Sequence, residues 1–180
     1  MKIKGKKILL EPVTQADKEG FFIIATRSYG SQFWYDDKEI EKRDMKAFFN
    51  DWKDYFFDIN KPEQGQCFWI KTDDKKIGVV CYSEFDKHNK KTEIDIIIGD
   101  KEDLGKGYGT DALQALVGYL FKNFDLNKIW IEARGNNPRA IKAYQKAGFK
   151  KEGLLKEDDY FHGEFVDCVR LGILKKEIKK

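Results

Sequence analysis

The segment IDIIIGDKEDLGKGYGTDALQAL, residues 94–116, restricts the fold more than any other part of the chain. An isoleucine-rich run with strand character comes first, and three glycines follow at alternate positions, Gly105, Gly107 and Gly109. From Lys106 the pattern turns helical, with Leu113, Leu116, Val117, Leu120, Phe121 and Phe124 on one stripe. Glycine permits turn angles that other residues resist and lets the backbone approach a ligand without a Cβ in the way. The first N–H groups of a helix lack partners and sit at the positive end of its dipole, so they favour an anion. A pyrophosphate suits that combination; a merely tight turn between strand and helix is the plain alternative. The sequence holds no G-x-x-x-x-G-K-[ST], and its glycines run G-x-G-x-G rather than G-x-G-x-x-G after an early βαβ unit.

The rest of the chain arranges itself around that segment. KKILLEPV reads as a first strand, and Thr14 caps a helix expected over residues 15–28, with Asp17 at its third position. A second helical stretch is expected from Lys38 to Phe57, carrying Ile40, Met45, Phe48, Phe49, Trp52, Tyr55 and Phe56. QCFWIKT and IGVVCYSEF read as strands joined by the polar turn DDKK, and KHNKK leads into TEIDIIIG. Ile94, Ile96 and Ile98 keep period two there, while Ile97 makes the run apolar on both sides, as in a strand covered on two faces or a bulge. KIWIEA is a further strand. In NNPRAIKAYQKAGF, Asn137 caps a helix, Pro138 takes its first position and Gly148 lies just past its end. KKEGLLKEDDYF and EFVDCVRLGIL close the chain as two strands about the turn HG. The expectation is an α/β (α+β) domain over residues 1–180, with one central, mixed, mostly antiparallel twisted sheet of about seven strands flanked by about four helices.

No repeat, low-complexity tract or linker divides the 180 residues, a length that suits one domain. The 34 basic residues nearly balance the 31 acidic ones, so no nucleic-acid partner is expected. The lysine-bearing start lacks an apolar core of useful length, and no apolar run approaches ~18 residues; neither a signal peptide nor a membrane span is expected, and the setting is read as cytoplasmic. Cys67, Cys81 and Cys168 are widely spaced, and only His88 and His162 could join them as soft ligands. That pattern predicts no metal site and buried free thiols in a reducing compartment.

DLGKGYGTDAL resembles the acyl-CoA pyrophosphate loop of the GNAT acetyltransferase superfamily, [QR]-x-x-G-x-[GA], with Leu104, Gly107 and Gly109 at its defined positions. Leu104 departs from the usual Gln or Arg, which removes the side-chain part of the signature and keeps the backbone cradle. NNPRAIKAYQKAGF resembles the superfamily's N-x-x-[AS]-[IV]-x-x-Y-x-x-x-G-F at Asn137, Ala140, Ile141, Tyr144, Gly148 and Phe149. YFHGEFVDCVRLGILKKE is similar to the last strands of the branch with ribosomal-protein, polyamine and aminoglycoside N-acetyltransferases. The resemblance implies a GNAT-like fold, acetyl-CoA as co-substrate and no metal. The implied reaction is acetyl transfer by direct attack on the thioester. Its acceptor is a primary amine of a polyamine, aminoglycoside or amino acid, or a protein N-terminus. Terminal strands in this branch often meet a second subunit, which leaves a homodimer open. A catalytically silent acyl-CoA-binding sensor is the reading from another class: Leu104 favours it, and the complete second motif with Tyr144 opposes it.

The same resemblance implies roles for single residues. Tyr144 would lie beside the CoA sulfur as general acid, against the plain alternative of a packed core tyrosine. Glu93, eleven residues before Leu104, is the candidate base, against simple cross-strand pairing with lysine; Asp95 is the reserve. Backbone N–H groups of the IDIII strand would polarise the acetyl carbonyl, and Ile96, Ile97 and Ile98 would line the pantetheine arm. Leu104, Gly105, Lys106, Gly107, Tyr108, Gly109 and Thr110 would form the pyrophosphate turn. Asn137 would bond the pantetheine or the loop, though capping accounts for it equally. On the acceptor side, Trp34 and Tyr35 beside Asp36, Asp37 and Glu39 could cradle a cation through ring faces and carboxylates, or belong to a solvated loop with the two aromatics tucked into the core.

Overall fold

The computed structural model describes residues 1–35, 43–73 and 75–178. One open sheet holds β1 (Ile3–Lys4), β2 (Leu9–Pro12), β3 (Gln66–Thr72), β4 (Lys75–Tyr82), β5 (Lys91–Ile98), β6 (Lys128–Arg134), β7 (Lys150–Phe161) and β8 (Glu164–Leu174). Their spatial order is β1-β2-β3-β4-β5-β6-β8-β7. Every neighbouring pair is antiparallel except β5 with β6. Four α-helices occur among the described residues: α1 (Lys18–Arg27), α2 (Met45–Asn50), α3 (Tyr108–Asn123) and α4 (Pro138–Ala147). The mixed, mostly antiparallel sheet agrees with the sequence. The eighth strand is Ile3–Lys4, two residues long, which offers no periodicity to read.

The strand β5 is covered on both faces. Ile94 is buried with Leu113, Leu116 and Leu120 of α3, and Ile96 and Ile98 pack against that core. Ile97 points the other way, into a second core with Phe21, Phe48, Trp69 and Val79. The β4–β5 ladder runs from Gly78↔Ile98 to Tyr82↔Ile94 without a register shift, so the apolar run is a two-sided strand and not a bulge.

The expected helix over 38–57 is replaced, within the described residues, by the six-residue α2 and a turn of 3-10 helix over Asp54–Phe57. Asp44 caps α2 by accepting from the Ala47 N–H. The break has a packing reason. Adjacent residues on a straight helix diverge by about 100°, so one helix could not aim Phe48, Phe49, Trp52 and Phe57 at a single target. Interrupted at Asp51–Lys53, all four rings surround Phe21, with centroids 4.8 Å away for Trp52 and 5.2 Å for Phe57.

The cysteines also differ from expectation. Cys67 and Cys81 face each other across β3 and β4 and are joined as a disulfide, while Cys168 is free and buried. The antiparallel register brings residues 14 apart in sequence opposite one another, which spacing alone does not reveal. The terminal turn follows the sequence closely: His162 and Gly163 both have positive φ, 53° and 87°, the geometry of a two-residue hairpin.

Candidate active site

The parallel pair β5–β6 is joined only at Lys91↔Lys128, Thr92↔Ile129 and Glu93↔Trp130, although β5 continues to Ile98 and β6 to Arg134. Beyond that point the strands part around a cleft of about 750 Å³. The Ser83 N–H donates to the Glu93 carbonyl at 2.9 Å and the Gly99 N–H to that of Ile77 at 2.8 Å, which sets the alternation of the ladder. Residues 93, 95 and 97 therefore turn their backbone to β4, and the amides of Ile96 and Ile98 face the gap. The Ile96 carbonyl accepts from the Trp34 indole at 3.2 Å. Not every amide of this stretch opens onto the cleft: the Ile97 N–H belongs to the β4 side, although Ile97 is among the lining residues.

The glycine turn forms one wall. Gly105 and Gly107 have φ of 78° and 84°, and Gly107 is the left-handed residue from which α3 starts. A Cβ on Gly105 would meet nothing within 4 Å, and one on Gly107 only the Lys7 Nζ at 3.6 Å. Packing does not demand glycine here; backbone angle does, together with an open face beside the first N–H groups of a 16-residue helix. That open cradle fits a pyrophosphate. Leu104, Tyr108, Gly109 and Thr110 also line the cleft, and the Thr110 hydroxyl lies 3.3 Å from the Ala143 carbonyl, joining α3 to α4. Lys106 does not line it; its ammonium is 3.6 Å from Asp103, and its carbonyl accepts from Lys7 Nζ at 3.0 Å.

Two buried carboxylates fix this wall, and neither was anticipated. Asp111, in the first turn of α3, accepts from the backbone N–H groups of Lys6, Lys7 and Ile8 at 3.0, 2.6 and 3.2 Å. It thereby ties the approach to β2 against the turn. Asp103 shares the Lys75 ammonium with Asp100 and Glu102, each at 3.1 Å. An acid in the first turn of a helix that follows a glycine turn was the available signal for Asp111.

The floor carries three carboxylates. Glu93 and Asp95 point to one face of β5, and Glu132 points to the same face of β6, two residues beyond the Glu93↔Trp130 pair. Burial pushes the Glu93 carboxyl up to about 8, with the Asp95 and Glu132 charges adding to it and Arg170 opposing it. Asp95 meets the water of the cleft, yet protein crowds it on the remaining sides; that burial, followed by the Glu132 charge, raises it to about 6. Glu132 itself is paired with Arg170 at 2.5 Å. In KIWIEAR the alternation with the buried Ile129 and Ile131 marked Trp130, Glu132 and Arg134 as one face, but not what they would meet.

Tyr144 is 7% exposed and lines the cleft from α4. Burial raises its hydroxyl above the ordinary tyrosine range, Asp95 adds to the effect, and Arg139 counters it. Asn137 lines the cleft too, and its side chain caps α4 by accepting from the Ala140 N–H at 3.2 Å. On the acceptor side Trp34 reaches the lining, whereas Tyr35 does not. Tyr35 packs with Phe48, ring centroids 6.1 Å apart, and burial pushes its hydroxyl up to about 12. Asp36, Asp37 and Glu39 lie outside the described residues.

Known proteins share parts of this sequence and its fold. The chain is 32% identical over 108 residues to an uncharacterized N-acetyltransferase, p20, of Bacillus licheniformis, covering 60% of each chain. It is 32% identical over 101 residues to the spermidine N(1)-acetyltransferase of Vibrio cholerae, covering 56% of this chain and 58% of that one. The matches thus span about three fifths of these relatives' lengths. In fold it is similar to the crystal structure of spermidine N-acetyltransferase from Vibrio cholerae in complex with CoA and spermine. That likeness has a TM-score of 0.79 at 22% identity and covers 95% of this chain and 97% of the other. The family model described as an acetyltransferase (GNAT) domain matches residues 7–150, from the approach to β2, through the glycine turn, to the first residue of β7. The chain belongs to the GNAT acetyltransferase family.

Proposed function

We propose that residues 1–180, as one domain, form an acetyl-CoA-dependent N-acetyltransferase that works in the cytoplasm on a primary amine, with a small molecule as the leading acceptor class. The observation that carries this reading is the parting of β5 from β6. It opens the Ile96 and Ile98 amides between a phosphate-suited turn on one side and a cluster of carboxylates on the other. The relative solved with CoA and spermine supports an amine acceptor.

Acetyl-CoA supplies an activated acetyl thioester. The N–H groups at the start of α3 hold its pyrophosphate, and the Ile96 N–H polarises the carbonyl oxygen. An alkyl amine arrives as ammonium, with a pKa near ~10. Glu93 takes one of its protons, directly or through water, so that the nitrogen lone pair can attack the carbonyl carbon. As the carbon–sulfur bond breaks, the Tyr144 hydroxyl gives its proton to the sulfur, and the second proton of the acylated nitrogen passes through water to the phenolate, which leaves a neutral amide and restores the hydroxyl. A hydroxyl held well above its ordinary range is protonated at every working pH, as an acid must be.

Thiol release from acetyl-CoA, measured against spermidine, an aminoglycoside, free amino acids and short peptides, tests the reading. Stimulation by one amine class is expected. Silence across the panel, with CoA still bound, would point instead to a protein substrate or a non-catalytic sensor.

A pH profile tests Glu93. With its carboxyl raised to about 8, the rate climbs as pH passes through that value, and Glu93→Gln lowers the plateau by about a hundredfold and flattens the climb. Stability gives a second readout with opposite sense. A carboxyl raised by folding stabilises the fold fully below its unfolded value, and that contribution is lost as pH rises through about 8. Glu93→Gln should therefore match the wild-type melting temperature at pH 4 or below and exceed it above pH 8. Identical pH–rate curves for the two proteins would remove Glu93 from the mechanism.

A further inference from the structure

Arg134, at the end of β6, is half of a clamp that the reaction chemistry leaves unexplained. Its Nη1 donates to the Phe33 carbonyl at 2.6 Å, and its Nη2 lies 3.4 Å from the Trp34 carbonyl. Its Nε donates to Asp159 at 2.5 Å, and its guanidinium lies 3.9 Å over the Phe161 ring. Asp159 reaches it because β7 changes register between Leu155 and Asp159: four residue steps on β7 oppose two on β8, from Cys168 to Val166. Such an irregularity beside a cleft re-aims a side chain.

The clamped segment builds the wall opposite the glycine turn. Trp34 anchors its indole on the Ile96 carbonyl, inside the gap between β5 and β6. The Gly30 N–H donates to the Gly99 carbonyl at 2.9 Å, and a Cβ on Gly30 would collide with the Ile98 carbonyl. Residues 30–34 thus lie directly on the end of β5, with Arg134 holding them from the β6 side. A planar guanidinium suits this task because its fork can serve two carbonyls and a carboxylate at once.

We infer that Arg134, aimed by Asp159, is a positioning residue for the amine acceptor. It fixes the Phe33–Trp34 wall against β5 and so sets the geometry in which the acceptor reaches the thioester. This rests on the proposed acetyl transfer. The pyrophosphate end of acetyl-CoA, placed on the glycine turn, lies away from the clamp, whose hydrogen bonds go to Phe33, Trp34 and Asp159.

The test is steady-state kinetics of Arg134→Met, Arg134→Lys and Asp159→Asn, together with proton exchange at the Trp34 indole followed by NMR and assigned with Trp34→Phe. Arg134→Met should raise the acceptor KM by about tenfold or more, leave the acetyl-CoA KM within about twofold, and speed exchange of the Trp34 indole proton. Arg134→Lys, with one compact charge in place of the fork, recovers only part of the loss. Asp159→Asn shifts the same two readouts in the same direction and carries the test if Arg134→Met does not fold. An unchanged acceptor KM, or equal rises in both KM values, overturns the inference. If wild-type protein acetylates no amine, it is the proposed function that fails. The indole then decides the clamp alone: protection kept in Arg134→Met or Asp159→Asn overturns it, and protection lost upholds it.

Discussion

Gly107→Val is expected to weaken acetyl-CoA binding by about a hundredfold, a loss of about 2.7 kcal/mol. Gly107 starts α3 at φ 84°, where a β-branched residue is a steric outlier. The protein itself has room for a side chain there, since an added Cβ meets only Lys7 Nζ, at an ordinary 3.6 Å. The damage therefore falls on the turn's angle and on the open face beside the helix N–H groups, which are what a pyrophosphate requires. Gly109→Ala is the control. Gly109 is helical, its added methyl would sit at 3.7 Å from Ile96 and Ile98, and alanine is a better helix former by about 1 kcal/mol. That variant should keep its affinity and melt no lower than wild type. Calorimetric titration with acetyl-CoA separates the two; unchanged affinity in Gly107→Val would sink this account of the glycines.

Tyr144→Phe should lower kcat by about a hundredfold to a thousandfold with little change in the acetyl-CoA KM. The ring fills its place in the core either way, so stability should hardly move, and the lost atom is the hydroxyl of a residue that lines the cleft. Because burial and the Asp95 charge keep that hydroxyl protonated, the deficit should persist across the pH range and not vanish at one end. Single-turnover measurements would separate it from effects on product release. Equal turnover in the two proteins would return Tyr144 to the role of a packed core residue.

Much of the wall formed by the glycine turn and α4 was legible in the sequence because its determinants are local. The left-handed angles belong to Gly105 and Gly107 themselves, and the caps of α4 are Asn137 and Gly148 at its own ends. Other features lay beyond local reading. Tyr35 looked like a partner of Trp34 in a cation cradle, yet the ring cluster around Phe48 claims it. Lys106 sits amid the glycines, but its charge turns to Asp103. The helix expected through Phe57 broke because Phe21 gathers rings from both sides of the break.

The sequence by itself determined the order of the main strands and helices and the glycine turn before α3, since periodicity of 2 or 3.6 is written in neighbouring residues. Only the tertiary structure decided that β5 and β6 part after three pairs and that Glu132 joins Glu93 and Asp95. It also set the bond between Cys67 and Cys81 and the meeting of Arg134 with Phe33 and Asp159. These depend on register and divergence between segments distant in the chain, and a strand's own residues specify which face a side chain takes but not which partner it finds there.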